Sequence, residues 1–256
     1  MLILIRQLRR RSRAKHIDAQ LQDCLRLRQI KSVVESDALQ ADGCLQPCGT
    51  DYRDGFNLLI RKAAPLVRRR FSVAHELCHT FFYELVPEVK FVPHEVDGGE
   101  ERLCNYGAAE LLMPATRIKR SARNTNPGLA MLNNLCECYN VSMEAMLVRL
   151  RSLGLWECQL TVWYRTNAGQ FALDRSVGGK TADWRWVDDS LLSATWETGS
   201  PMNGQTFVEY TDQHGGLRVR PVWYEMTRRG EHILSLWAPR PIGPERVPGL
   251  FKTRTA

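Results

Sequence analysis

The feature that most limits how this chain can fold is the run His75-Glu76-Leu77-Cys78-His79, set within Arg70 to Glu84 (RFSVAHELCHTFFYE). Histidines four residues apart share a face on an α-helix. There they can aim two imidazole nitrogens at one ion, with Glu76 beside it. With this chain's own His and Glu frequencies, an H-E-x-x-H pattern arises by chance in about one sequence in a hundred. The spacing therefore predicts a zinc-binding helix. Ser72 is placed to cap it, the helix is expected from Val73 to about Phe82, and Pro87 limits its continuation.

A catalytic zinc takes three protein ligands and keeps one position for water, so a third group must come from elsewhere. The metzincin arrangement, a further histidine soon after His79 with glycine between, is excluded by TFFYELVPEVK. A His, His, Glu set instead draws a carboxylate from a following helix, and DGGEERLCNYGAAELLMP predicts one: Asp97 caps it, Glu100 completes a capping-box-like pair and Pro114 ends it. Glu101, Asn105 and Ala108 fall on one stripe of that helix, which makes Glu101 the expected third ligand. Glu100 is assigned to the cap, and Glu110 points away from the stripe. Asn105 is a candidate to orient Glu101 or a histidine, with a plain structural hydrogen bond as the equal alternative. In such a site Glu76 is the expected catalytic carboxylate, taking a proton from water and returning it to the leaving amine. His94, Tyr83 and Tyr106 are all candidates to stabilise the oxyanion, and each also has a structural reading. Manganese, which prefers oxygen ligands, suits this set less well than zinc.

The 256 residues suffice for two modules, and 44% hydrophobic against 25% charged residues is the balance of a chain that buries a core. The start, MLILIRQLRRRSRAK, has its apolar residues before its basic ones, the reverse of a secretory signal, and no run reaches membrane-spanning length. With eight cysteines and no export signal, reduced thiols and a cytoplasmic location are expected. Cys44-x3-Cys48 and Cys136-x-Cys138 lack the paired spacing of a structural zinc site and read as ordinary thiols. A net charge of +7 suits an acidic partner, with basic residues clustered at Arg9 to Lys15, Arg68 to Arg70 and Arg117 to Arg123. No nucleic-acid recognition signature accompanies them, so direct nucleic-acid binding is not the favoured reading.

Along the chain, an amphipathic helix is expected from about Ile17 to Val34, then a turn-rich piece, ADGCLQPCGTDYRDG, then a strand, FNLLIR, offered as the edge on which an extended peptide pairs. Two helices follow, from about Pro127 to Cys138 and from Ser142 to Gly154. Their outline is that of a helix-turn-helix, but the stripe Met143, Met146/Leu147, Leu150 favours packing on the amino-terminal body. After Trp156 the texture changes to short β-branched and aromatic runs, QLTVWYR, GQFALDR, TFVEY, LRVRPVWYEM and HILSLWAP, divided by turn residues. The expectation is an α+β protein: residues 1–156 a mainly helical domain with a small sheet, and residues 157–256 a β-rich domain. Its tryptophans, Trp163, Trp184, Trp186, Trp196, Trp223 and Trp237, first of all build a core.

Three segments in order, RRRFSVAHELCHTFFY, EERLCNYGAAELLMP and VSMEAMLVRLRSLGL, resemble the signatures of the ImmA/IrrE family of metallopeptidases, over roughly Phe56 to Leu155. The resemblance implies a zincin-like fold with His75, His79 and Glu101 as Zn2+ ligands and Glu76 as the catalytic carboxylate. It also implies a cytoplasmic endopeptidase that cuts a helix-turn-helix repressor or antitoxin and so relieves repression of stress or mobile-element genes. The chain departs from the family pattern at Cys78, where glycine is common, and at Gly107, where an aromatic is common. It also lacks an evident DNA-binding helix-turn-helix at its start, so a separately encoded repressor is the expected partner. The carboxy-terminal part is expected to sense a signal or recruit substrate. Two other roles fit the same residues: a proteolytic effector of a toxin or phage-defence system, and a non-enzymatic DNA-binding regulator that keeps the fold.

Overall fold

The computed structural model describes residues 1–12, 14, 16–49, 52–85, 98–123, 125–178, 189–211 and 216–239. Among these residues the chain is α+β, with eight α-helices and two sheets. It divides into two compact units, Met1–Ile118 with Glu137–Ser142, and Lys119–Cys136 with Met143–Ala256. No described helix is long and apolar enough to cross a membrane.

The first unit runs α1 (Leu2–Arg11), α2 (Ile17–Leu27), β1 (Ile30–Ser36), β2 (Gly43–Pro47), a 3-10 turn at Tyr52–Asp54, β3 (Phe56–Arg61), α3 (Leu66–Leu85) and α4 (Gly98–Leu112). Its sheet has the order β1-β3-β2, with β1 parallel and β2 antiparallel to β3. Phe56, Leu58 and Ile60 alternate with less buried residues along β3, the period-two pattern of a strand with one face on a core. Here the chain corrects two expectations. The helix from Ile17 ends at Leu27 rather than near Val34, because Gln29 turns left-handed at φ 57° and the β-branched pair Val33-Val34 continues as β1. Gly55, at φ 92°, completes this crossing: a Cβ there would stand 2.5 Å from the Gln29 carbonyl oxygen, which accepts the Phe56 N–H at 3.1 Å. And β3, offered as a free edge, is the central strand, paired on both sides; the turn-rich piece before it holds β2, the edge strand that sequence reading missed.

Helix α3 also begins earlier than expected. It starts after Pro65, a residue suited to a helix entry, and Ser72 lies inside it, its hydroxyl donating to the Arg68 carbonyl at 3.1 Å instead of capping. Pro87 and Asp97 lie outside the described residues. Ala74, Leu77, Cys78 and Phe81 form the fully buried stripe of α3, and α4 packs beside it through Cys104, Gly107, Ala108 and Leu111. Gly107 and Cys78 meet at this contact: a Cβ on Gly107 would stand 2.6 Å from the Cys78 Sγ. The thiol occupies space that a larger residue at position 107 would need.

Helices α5 (Ala115–Ala122) and α6 (Leu129–Tyr139) continue the chain. The second unit then adds α7 (Met143–Ser152), β4 (Gln159–Arg165), β5 (Phe171–Val177), α8 (Asp189–Thr198), β6 (Met202–Thr211), β7 (Leu217–Arg229) and β8 (His232–Ala238). Its strands form one antiparallel sheet in the order β5-β4-β8-β7-β6. Helix α8, absent from the sequence reading, covers β7 and β8, where Leu192 joins Val208, Val222, Tyr224, Met226, Ile233 and Trp237 in a core flanked by Trp163 and Trp196. Met146, Leu147 and Leu150 are buried as expected, but α7 belongs to the second unit, where it packs on β4 and β5. Trp184 and Trp186 lie outside the described residues.

Candidate metal centre

His75 and His79 stand one turn apart on α3 and face α4. Their Nε2 atoms are 3.1 Å apart, and the carboxylate of Glu101 reaches both: Oε2 is 3.1 Å from His75 Nε2 and Oε1 is 3.4 Å from His79 Nε2. Each ring is held from behind. His75 Nδ1–H donates to Asn105 Oδ1 at 3.0 Å, and His79 Nδ1–H donates to Glu100 Oε1 at 2.7 Å. Ionised Glu100 can only accept, so His79 carries its proton on Nδ1, and the Asn105 carbonyl selects the same form in His75. Both Nε2 lone pairs then point into the space shared with two carboxylate oxygens. Burial above all, and then the neighbouring His79, lowers the pKa of His75, which keeps this ring neutral.

Lone-pair atoms this close, with no hydrogen between them, call for a cation. Donors around a tetrahedral zinc at about 2.0 to 2.1 Å lie about 3.3 Å from one another, which the separations here approach. The His75, His79 and Glu101 donor set therefore fits zinc, with Asn105 and Glu100 fixing ring orientation. Asn105, read from the sequence as orienting Glu101 or a histidine or as making a plain structural hydrogen bond, meets His75. Glu100, assigned to the helix cap from the sequence, is instead the partner of His79. Its position beside Glu101 at the start of α4 was visible in the sequence, but the pairing was not. Glu110 lies away, as expected, 3.5 Å from Arg6 Nε and accepting the Ala115 N–H at 3.3 Å.

The Glu76 carboxyl lies against β2, close enough to His79 and Glu101 to feel their charge, and the residue is only 8% exposed. A Cβ on Gly43 would fall 2.7 Å from Glu76 Oε1, so the carboxyl lies directly against the edge strand at the one residue of β2 without a side chain. Burial raises its pKa to about 7, with Glu101 adding to the rise while His79 and a backbone hydrogen bond from Leu45 oppose it. Of the three oxyanion candidates, Tyr83 is the one in this neighbourhood. Its ring lies 5.0 Å from that of Phe56, and burial followed by Glu100, Cys44 and Glu76 raises its hydroxyl to about 12. Tyr106 is 54% exposed, and His94 lies outside the described residues.

The basic cluster at Arg68 to Arg70 is engaged within the first unit. Arg68 meets Asp42 at 2.6 Å, Arg69 meets Glu35, and Arg70 meets Asp18 at 2.8 Å while donating to the Tyr139 and Asn140 carbonyls. Cys44, Cys48, Cys136 and Cys138 are thiols rather than halves of a disulfide.

Residues 48–151 match the family model described as Peptidase_M78, the IrrE N-terminal-like domain. No curated protein matches the chain in sequence. Among solved structures, a Mycobacterium tuberculosis transcriptional regulator is similar in fold, at TM-score 0.50 and 16% identity over 93% of this chain and 75% of that one.

Proposed function

We propose, from the match of residues 48–151 to the IrrE N-terminal-like domain, that the chain is a zinc-dependent endopeptidase of zincin type. Its proposed substrate is a separately encoded helix-turn-helix repressor or antitoxin, cut to relieve repression of stress or mobile-element genes. The observation that carries the reading is the convergence of His75 Nε2, His79 Nε2 and the Glu101 carboxylate, with both Nδ1 protons already committed to Asn105 and Glu100.

Bound there, zinc supplies a Lewis acid that polarises a scissile carbonyl and makes water a usable nucleophile near neutral pH. The other tasks belong to the protein. Glu76 takes a proton from the attacking water and returns it to the leaving amine. Asn105 and Glu100 keep the imidazoles in the tautomer that presents Nε2. An extended peptide pairs with the outer edge of β2, Gly43–Pro47, which brings its backbone past the Glu76 carboxyl at Gly43. The residues from 157 onward serve to sense a signal or recruit the substrate. The name of the Mycobacterium tuberculosis protein, a transcriptional regulator, is in keeping with a regulatory role. The internal pairing of Arg68, Arg69 and Arg70 supports a protein rather than a nucleic-acid substrate.

The test is to incubate the zinc-loaded protein with the repressor-like product of a neighbouring gene and follow it by intact-mass spectrometry. One discrete fragment pair, absent with Glu76→Gln, is expected. An intact repressor alongside degraded host proteins would favour an effector role, and equal function of Glu76→Gln in repression assays would favour a non-enzymatic regulator.

A further inference from the structure

Helix α4 turns two stripes towards α3. Glu101 and Asn105, four residues apart, form the one that meets the two Nε2 atoms. Glu100 and Cys104, also four apart, form the adjacent stripe. Glu100 reaches the far side of His79, with Oε1 2.7 Å from Nδ1, and donor atoms of His79, Glu100 and Cys104 all lie within 4.8 Å of one another. We propose that His79, Glu100 and Cys104 form a second metal site, selective for a thiophilic ion, and that its occupancy excludes an ion from the His75, His79 and Glu101 set.

The donor types set the selectivity. One thiolate, one imidazole nitrogen and one carboxylate favour a soft or borderline ion over magnesium, calcium or manganese. Tetrahedral coordination, with metal–sulfur near 2.3 Å and metal–nitrogen near 2.0 Å, needs donors about 3.3 to 3.6 Å apart, so small side-chain movements close the set. Glu100, with 29% of its side chain exposed, is the entrance, and Cys104, fully buried, is the floor.

The exclusion follows from proton bookkeeping on one ring. A neutral imidazole carries one proton, held on Nδ1 by Glu100 when Nε2 faces the first set. For an ion to bind Nδ1, that proton must leave, and its available place on the ring is Nε2. A protonated Nε2 has no lone pair for the first ion. The Cys104 thiol proton passes to solvent, nothing is oxidised, and His79 changes tautomer. Holding both ions together would require an imidazolate. The site gives the chain a means to lose its first ion when soft metals accumulate.

The thiolate site itself does not depend on the peptidase reading, whereas the exclusion rests on His79 serving the first set. The test uses full-length protein loaded with zinc and titrated with cadmium chloride. It records the ultraviolet thiolate-to-cadmium charge-transfer band and the zinc released to a chromogenic chelator. The band is expected to grow in step with zinc release, and both Cys104→Ser and Glu100→Gln are expected to weaken cadmium binding about ten- to a hundredfold. Glu100→Gln, at a half-exposed position, keeps the test valid should the buried serine variant fail to fold. The remaining thiols are common to all three proteins, so only the difference between curves counts. An unchanged cadmium curve in the variants, or cadmium uptake with zinc retained, overturns the proposal. Protein that takes up no zinc beforehand overturns the peptidase reading instead, and a Cys104-dependent cadmium band then supports the second site on its own.

Discussion

Thr161 in the second unit and the His75 and His79 pair on α3 are both polar groups withdrawn from water, and they are satisfied in opposite ways. Thr161 Oγ1 accepts the indole N–H of Trp237 at 2.8 Å and that of Trp163 at 2.9 Å, so donors and acceptor match within the protein. The two Nε2 atoms and Glu101 are acceptors facing acceptors. The first arrangement is a core that happens to be polar at one point. The second offers its donor atoms to a cation, the reading proposed above, and Glu101, with 43% of its side chain exposed, also meets solvent. Burial and hydrogen-bonding residues alone do not mark a site; the imbalance of donors and acceptors does.

The largest test of that contrast is Glu76→Gln, which keeps the shape of the side chain and removes its basicity. Peptide cleavage should fall about 10²- to 10⁴-fold. Zinc content by atomic absorption should stay at the wild-type level, since Glu76 is outside the donor set. In the second unit, Thr161→Val removes the hydroxyl that accepts from both indole N–H groups. Urea unfolding should show a loss of about 2 to 4 kcal/mol, while zinc binding is unaltered. A change of zinc affinity there would break the separation between the two clusters. Gly43→Ala forces a methyl group against Glu76 Oε1. It should reduce cleavage about ten- to a hundredfold by misplacing the carboxyl, with metal retained. Asn105→Ala releases the ring of His75 and should weaken zinc binding about tenfold, read from competition with a chromogenic chelator.

The candidate centre was legible in the sequence because helical spacing brings His75 and His79 to one face with Glu76 beside them, and a second amphipathic stripe offered Glu101. The role of Glu100 was not legible. Capping and ring-holding both need a carboxylate in the first turn of α4, and only the approach of the two helices distinguishes them. Strand β2 was hidden for a similar reason. Gly43, Cys44 and Pro47 carry little strand propensity, and the strand exists through its pairing with β3. The five strands after Trp156 were readable from β-branched and aromatic runs. Helix α8 was not, because its short apolar set, Leu191, Leu192 and Trp196, acquires meaning only against the sheet. The early start of α3 shows a local signal overruled: Ser72 is a good cap by composition, yet Pro65 and the continuous helical pattern from Leu66 set the entry.

The most direct measurement is the zinc-binding isotherm of the wild-type protein beside that of Glu101→Ala, by equilibrium dialysis with metal analysis and with circular dichroism to verify folding. The account predicts about one tightly held zinc per wild-type chain and, at the same free zinc, none in the folded variant. Equal zinc uptake by the two folded proteins would contradict it.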